Sequence, residues 1–285
     1  MRHDPRRGTH NLPNAQLIGQ TRPPGPIHLI VLAVVNLTSV PQSTGFPDDR
    51  SGRRAAWYSL AALLRAAAGS LLQVQPNEIA SGIHGTGTGS SKARTFAFLS
   101  DTLDNGAGYC THLADRGVFD QLMTTTSRML AEFADGAHGR DCRGSCYQCL
   151  RDYTNMAYHS LLDWRLAGEL LSILRATDDT SNQHGRQSAE LLRDWASNIP
   201  PGDVEFWDDL GGTGPAVLFE ERVWVAAKGP FEAADAAMSS PRISIVRDAV
   251  AANTRGVCDM VFVDDFLLDK APARVSAMLA DFDGA

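Results

Sequence analysis

Three cysteines stand close together in the middle of the chain, at Cys142, Cys146 and Cys149, in a C-x3-C-x2-C arrangement. Cysteine thiolates bind zinc at about 2.3 Å, and a tight turn can bring sulfurs with this spacing onto one ion. Gly144 and Ser145 are residues that favour such a turn. The alternative is that the three thiols are buried as small apolar side chains. The cluster therefore predicts a zinc site, in a protein of a reducing compartment such as the cytoplasm.

A structural zinc ion takes four protein ligands, so one more donor is expected. His138 precedes Cys142 by four residues and is our first choice. Cys110 is the alternative, a softer donor that depends on the fold to bring it near, and His159 and Asp141 come after these two. Four protein ligands leave no open position that activates water. The predicted zinc is therefore structural.

The elements that must hold this loop are predicted from apolar patterns in a globular chain of 285 residues, 44% of them hydrophobic. The β-branched run 27–35 and residues 95–100 are expected strands, and the Ala- and Leu-rich segment 55–65 is an expected helix. The order strand, helix, strand predicts a parallel pair with a crossover. Apolar side chains three and four residues apart predict long helices near 119–133 and 153–174, on either side of the cysteines.

The expected fold class is α/β, divided into four segments. The proline-rich residues 1–26 are expected to be a disordered lead-in. Residues 27–176 are expected to hold a small mixed or parallel sheet, long helices and the Cys-rich zinc loop. The polar residues 177–203 predict a linker with at most one helix, around 188–195. Residues 204–285 alternate short apolar runs with helical patterns, which predicts a small acidic α/β module.

The net charge of −7 excludes a generally basic protein that coats nucleic acid. Residues 1–150 carry 14 basic and 11 acidic side chains, whereas the remainder carries 12 and 22. A polyanion is therefore expected to dock on the first part. The longest apolar run, 27–35, is shorter than the roughly 20 residues of a membrane-spanning helix. No membrane association is expected.

The segment around the second and third cysteines has a distinctive sequence. Residues 145–155 are SCYQCLRDYTN, followed by His159 and by LLDWRLA at 161–167. These residues resemble the MrfA-like zinc-binding domain, formerly a domain of unknown function. Residues 52–61 and 101–109 resemble the same domain in the same order.

The resemblance covers roughly residues 27–175. This domain is found at the C-terminal end of bacterial superfamily 2 DNA helicases and of the helicase-like component of the DISARM phage-defence system. The resemblance implies a metal-stabilised module that accompanies an ATP-driven DNA motor, with a helicase core or a defence-complex subunit as its partner. Many members have a fourth cysteine where this chain has Arg140, so a mixed Cys/His site is expected instead.

An ATP-driven motor needs a phosphate-binding loop of the form G-x4-G-K-[ST]. The nearest approach to one lies at residues 85–92, but Ser91 stands before Lys92 and Ala93 follows it. The sequence therefore predicts a non-catalytic accessory domain whose motor is encoded separately. A truncated helicase remnant is an alternative.

An enzyme is the other alternative, because divalent-metal hydrolysis uses clustered carboxylates with a lysine. The C-terminal module offers six such residues, namely Glu220, Glu221, Lys228, Asp259, Asp264 and Asp265. The short Glu-x-Lys arrangement of many nucleases is missing, so a solvated acidic face is the favoured interpretation and a metal-dependent nuclease the second. No other convincing catalytic constellation is present in the sequence.

Contact with nucleic acid requires arginines and stacking aromatic rings on one surface. Such residues lie in or near the predicted metal loop, namely Arg140, Arg143, Arg151 and Arg165, together with Tyr147 and Tyr153. Taken singly, each is typical of a surface charge or of a ring at the edge of a core. Together they predict a patch that touches DNA.

Overall fold

The computed structural model describes residues 15–17, 29–34, 51–75, 77–86, 94–102, 107–175, 183–210, 212, 214–232, 241–252 and 259–282. The chain folds as two compact units. The first comprises Met1–Thr38 and Ala55–Thr180, and the second comprises Ser39–Arg54 and Ser181–Ala285. Of the predicted lead-in, only residues 15–17 are described, as a strand. Residues 87–93, in the segment compared with a phosphate-binding loop, lie outside the described residues.

The first unit contains a four-stranded antiparallel sheet in the order β1-β2-β4-β3. Its strands are β1 (Ala15–Leu17), β2 (Leu29–Val34), β3 (Ile79–Thr86) and β4 (Arg94–Asp101). The predicted parallel pairing of the first two expected strands is wrong, because β2 runs antiparallel to β4.

The strand β3, which forms a hairpin with β4, was not predicted from the sequence. The sequence of β3, IASGIHGT, contains two glycines and few β-branched side chains, so it lacks an ordinary strand pattern. Gly82 lies opposite Phe98 in this hairpin, and a Cβ atom at Gly82 would lie 2.9 Å from the Phe98 ring. The Phe98 ring therefore occupies the space that a side chain at residue 82 would need. The glycine required there is one of the two that hide the strand pattern in the sequence.

The structure has α-helices where the sequence predicted them at 55–65 and 119–133. The single long helix predicted near 153–174 is wrong, because a 3₁₀ helix and a turn precede an α-helix that begins at Trp164. The helices of the first unit are α1 (Ser51–Leu72, whose residues 51–54 are assigned to the second unit), α2 (Tyr109–Leu113), α3 (Arg116–Ala134), α4 (Gly136–Asp141), a 3₁₀ helix (Tyr153–Tyr158) and α5 (Trp164–Arg175). Asp115 begins α3 by accepting hydrogen bonds from the backbone N–H groups of Gly117 and Val118. Leu166, Leu170 and Leu174 form the buried face of α5.

Helix α1 is long and apolar enough to cross a membrane, by length and composition alone. This length was not expected, because the helix predicted from the sequence ended at Arg65. In the structure, 67% of its most apolar 18-residue window is buried inside the protein, and Arg65 is buried as well. A buried core helix passes the same test, so α1 carries no argument for a membrane.

The second unit contains a mixed sheet in the order β5-β6-β7-β8. Its elements are α6 (Gln183–Ser197), β5 (Val204–Trp207), β6 (Ala216–Phe219), β7 (Val223–Lys228), α7 (Pro241–Ala252), β8 (Met260–Asp264), α8 (Asp265–Lys270) and α9 (Pro272–Ala280). The strands β5, β6 and β7 are antiparallel neighbours, and β8 lies parallel to β7 with α7 between them in sequence. The α/β class is confirmed, with the parallel pair in the second unit.

The core of the second unit includes a helix from the segment predicted as a linker. Leu192 and Trp195 of α6 pack in one apolar cluster with Val225 of β7 and Leu267 of α8. The other side of the sheet buries Trp224, against which the ring of Trp207 lies edge-on at 5.7 Å. Both faces of the central strands are therefore covered.

Candidate metal centre

The metal loop, residues 136–150, begins where α3 turns into α4. Asp135 is extended, and its carboxylate accepts a hydrogen bond from the N–H of Gly136 at 2.8 Å. Gly136 has a φ of +57°, which glycine adopts without strain. A Cβ atom at Gly139 would lie 2.1 Å from the carbonyl oxygen of Ala134. Helix α4 therefore approaches the end of α3 at a distance that only glycine allows, and this approach places His138.

Four ligand atoms converge in this loop: Nε2 or Nδ1 of His138 and the Sγ atoms of Cys142, Cys146 and Cys149 all lie within 4.8 Å of one another. His138 Nε2 is 3.4 Å from Cys146 Sγ, Cys146 Sγ is 3.7 Å from Cys149 Sγ, and Cys149 Sγ is 4.0 Å from Cys142 Sγ. A tetrahedron with metal–sulfur bonds of about 2.3 Å has sulfur–sulfur edges of about 3.8 Å. The four donors thus have the spacing of a tetrahedral zinc site.

The orientation of the His138 ring is fixed by the end of α3. Its Nδ1 lies 2.7 Å from the carbonyl oxygen of Phe133. A carbonyl only accepts, so Nδ1 carries the proton and Nε2 presents its lone pair to the thiols. The rings of Phe133 and Trp164 lie 5.5 and 6.0 Å from the imidazole. These contacts hold the histidine in the tautomer that a metal ligand needs.

Backbone N–H groups point at the sulfurs. The N–H of Cys146 donates to Cys149 Sγ at 3.1 Å, and those of Gly144 and Gln148 donate to Cys142 and Cys146. The turn itself is closed by the N–H of Cys149, which donates to the carbonyl of Cys146 at 3.1 Å. Such donors favour the thiolate form, in which cysteine binds metal.

Burial disfavours the charged thiolate and so opposes the effect of these hydrogen bonds, and at two of the thiols burial prevails. It raises the pKa of Cys142, and it raises the pKa of Cys149 to about 12. Burial acts the same way on Cys146, but hydrogen bonds from Gln148 N–H and His138 outweigh it, so the pKa of Cys146 is lowered. A bound divalent cation deprotonates a coordinating thiol. Metal binding here is therefore coupled to proton release.

The start of α5 anchors the metal loop. The N–H of Trp164 donates to the carbonyl of Gly144 at 2.9 Å, and its indole N–H donates to the carbonyl of Cys142 at 3.3 Å. Arg165 donates to the carbonyl of Cys142 at 2.8 Å and to that of Gly139 at 3.1 Å, and its guanidinium lies over the Trp164 ring. Arg165, predicted to contact nucleic acid, is thus engaged in holding the metal loop.

A second anchor joins the 3₁₀ helix to α1. The buried Arg65 pairs with Asp152 and donates to Thr154, and burial lowers its pKa. Asp152 also caps the 3₁₀ helix, in a reciprocal arrangement with Asn155. The hydroxyl of Ser59 accepts a hydrogen bond from the N–H of Asp163 at 2.8 Å. These residues were not predicted, because their contacts join segments far apart in sequence.

The structure places the remaining ligand candidates elsewhere. Cys110 is buried in α2, where its N–H donates to Asp101 Oδ1 at 3.0 Å, and burial raises the pKa of its thiol. It is not part of the four-ligand group. His159 Nε2 lies 3.0 Å from the carbonyl of Asp152, and Asp141 is exposed. The structure therefore brings His138, and not Cys110, to the three thiols.

Among the other predicted contacts for nucleic acid, Arg140 and Arg143 are exposed. Arg151 is half-buried, and its Nε donates to the hydroxyl of Ser145 at 2.9 Å. Two of the four predicted arginines thus extend into solvent, while Arg151 and Arg165 stabilise the loop itself.

The six residues considered for a nuclease site lie at two ends of the second sheet. Because β7 and β8 are parallel, with Trp224 opposite Met260 and Lys228 opposite Asp264, Asp259 lies at the end where β7 and β8 begin. Glu220 and Glu221 precede β7 and lie at that same end. Lys228, Asp264 and Asp265 lie at the other end. The structure does not bring the six together.

Two carboxylates of this set, Asp264 and Asp265, are buried and accept hydrogen bonds. Asp264 accepts a hydrogen bond from the N–H of Phe266 and caps α8. Asp265 Oδ2 lies 3.1 Å from the hydroxyl of Ser188, which donates to it.

Comparison with known proteins points to the metal loop. Residues 60–150 match the MrfA Zn-binding domain. The matched segment contains all four convergent ligands. The resemblance inferred from the sequence is confirmed, and so is the prediction of a structural zinc ion.

One curated relative is similar to part of the chain. The chain is 34% identical over 119 residues to Druantia protein DruE of Escherichia coli (strain UMEA 4076-1). The aligned region is 41% of this chain and 6% of that protein's length. No solved structure matches the chain.

Proposed function

We propose that the chain is a zinc-stabilised, non-catalytic accessory module that works with an ATP-driven DNA motor, in the cytoplasm. The observation that carries this proposal is the convergence of His138 with the three clustered thiols, in a segment that matches the MrfA Zn-binding domain. A helicase core or a defence-complex subunit is the proposed partner.

The geometry supports a structural role for the ion. All four positions of a tetrahedral site are supplied by protein donors, so no position is left for a water molecule or a substrate. The ion would tie α4 to the turn after it, while Trp164 and Arg165 hold that turn against α5. Metal-binding free energy then becomes folding free energy for residues 136–165.

The link to a DNA motor rests on the family. Domains that resemble this one stand at the C-terminal end of DNA helicases, and the match to DruE covers 6% of a much longer protein. An accessory domain needs a rigid surface to hold or orient its partner, and a metal-tied loop supplies such a surface.

The experiment is affinity purification of the tagged full chain from its native cells, followed by mass spectrometry. We expect to recover an ATPase whose sequence contains the G-x4-G-K-[ST] loop, and we expect the Cys146→Ser variant to lose it. Asp141→Asn is the matched control, because Asp141 is an exposed neighbour outside the ligand group. Recovery of no such ATPase with the zinc-loaded chain contradicts the proposal.

A further inference from the structure

Exposed aromatic side chains are concentrated beside the metal loop. Tyr147 is 63% exposed, Tyr153 84%, Met156 56% and Tyr158 40%, and we call these four residues the tyrosine face. In the described part of the chain, Ile245 is the one other large apolar side chain that is exposed. Large exposed apolar side chains concentrated within residues 147–158 indicate a binding surface, whereas scattered single ones do not.

Ring contacts and hydrogen bonds hold this surface in place. Tyr147 meets the His159 ring edge-on at 5.6 Å, which joins the metal loop to the end of the 3₁₀ helix. Tyr158 stacks on Tyr58 of α1, with ring centroids 4.5 Å apart and planes inclined by 21°. The cap at Asp152 fixes the start of the same helix. The rings are thus presented on a preorganised surface, which lowers the entropy cost of binding.

A cavity lies beside the tyrosine face. Its volume is about 140 Å³, and Tyr58, Tyr158, Arg65, Asn77 and Ser81 are among its lining residues. An apolar cavity of about 150 Å³ accommodates benzene, so this one has room for a single planar ring of pyrimidine size. Within the described residues, no hydrogen bond engages the side-chain amide of Asn77 or the hydroxyl of Ser81. An aromatic wall and two available polar groups suit the face and the edge of a nucleobase.

The charge next to the tyrosine face is complementary to phosphate. Arg140, Arg143 and Tyr147 all belong to the metal loop, with Arg140 in its helix α4. Across the described ranges, no hydrogen bond or ion pair engages the guanidinium of Arg140 or Arg143, and both are exposed. Arginine beside stacking rings is the combination by which proteins bind single-stranded nucleic acid.

We propose that this surface binds a single strand of nucleic acid, with one base entering the cavity beside Tyr158 and neighbouring bases stacking on Tyr153 and Tyr147. The inference rests on the proposed function, whose motor would deliver an unpaired strand. Duplex DNA binds more weakly, because its bases are stacked and paired and cannot reach the rings.

The test measures binding of a fluorescently labelled oligothymidylate to the full chain by fluorescence anisotropy. An abasic strand of the same length serves as the second probe. We expect oligothymidylate to bind and the abasic strand to bind at least about tenfold more weakly, because stacking requires bases. Tyr153→Ala and Tyr147→Ala should each weaken oligothymidylate binding by about 5- to 150-fold. Tyr153→Phe keeps the ring and should bind as the wild type does.

A second variant tests the cavity without removing a ring. Ser81→Leu fills the space beside Tyr158 and should weaken binding of oligothymidylate but not of the abasic strand. Ile245→Ala is the control for the tyrosine variants, because Ile245 is also a large exposed apolar residue, at 57%, but lies in α7. Equal binding of both strands, or equal loss in Ile245→Ala and Tyr153→Ala, overturns the proposal.

Zinc is quantified in the same preparations, which separates the two proposals. A zinc-loaded chain that binds no oligothymidylate overturns the strand-binding proposal and leaves the proposed function standing. A wild-type chain purified without zinc overturns both. If the loaded chain instead captures a protein that Tyr153→Ala releases and binds no strand, the tyrosine face is a protein interface and the strand-binding proposal is wrong.

Discussion

None of the residues of α4 is buried, whereas every residue of β6 is. The metal loop, which includes α4, takes its shape from four convergent donors, backbone hydrogen bonds to sulfur and the contacts of Trp164 and Arg165. The second unit takes its shape from apolar side chains packed on both faces of a sheet. A loop without a core of its own thus depends on an ion, and a sheet with a full core does not.

Removing one ligand should give the largest difference between the two regions. Cys146→Ser leaves three donors, and structural zinc contributes about 10–16 kcal/mol in small zinc domains. We expect zinc loss, with faster amide hydrogen exchange across residues 136–165 and unchanged exchange in β6–β8. Elemental analysis and exchange mass spectrometry measure both, and a variant that retains a full equivalent of zinc would show that the ligand set is wrong.

The converse change removes apolar packing from the second unit. Leu192→Ala leaves a cavity in the core, and we expect the free energy of unfolding to fall by about 2–5 kcal/mol with zinc content unchanged. Leu191→Ala is the control, since Leu191 is only partly buried and should cost less. Chemical denaturation followed by tryptophan fluorescence checks this. An effect no larger than the control's would mean that α6 is a linker and not a core helix.

Helix α4 offers a sharper test of how tightly the loop is built. Gly139→Ala places a methyl group 2.1 Å from the Ala134 carbonyl oxygen, so the backbone must shift, at a cost of about 1–3 kcal/mol. Zinc affinity should fall because His138 moves. Gly117→Ala is the control, with its nearest neighbour at 3.4 Å. Competition with a chromogenic chelator measures both variants, and equal affinities would show that α4 tolerates the shift.

The smallest effect is expected for a residue that supports the loop from outside. Arg165→Gln removes hydrogen bonds to the carbonyls of Cys142 and Gly139, and loss of outer contacts of this kind lowers metal affinity by about 10- to 100-fold. Arg143→Gln changes the same charge at an exposed position and should leave affinity unchanged. Chelator competition measures the zinc affinity of both variants. Equal affinities would mean that the hydrogen bonds of Arg165 do not support the metal loop.

The ligand set was predictable because it is local in sequence. The thiols at Cys142, Cys146 and Cys149 are separated by turn-length spacings, and His138 is one helical turn before the first of them. Chemistry and spacing therefore pointed to the site without knowledge of the fold. The choice between His138 and Cys110 needed the fold, because it depended on where α2 lies.

Contacts between distant segments were not predictable. The pairing of Arg65 with Asp152 and the bond between Ser59 and Asp163 leave no periodic pattern in the sequence. The strand β3 was missed because its glycines break the alternation that identifies a strand. The antiparallel pairing of β2 with β4 followed from that strand, so one missed element reversed the predicted sheet topology.

The closeness of His138 and Cys149 along the chain has a consequence for the order of assembly. A short closed loop loses little chain entropy, whereas pairing Leu29 with Ser100 must first bring together segments far apart in sequence. Local contacts form early when a chain folds. The zinc-bound metal loop would therefore fold before the sheet of the first unit. During synthesis, the remaining segments would then pack against a loop that is already folded.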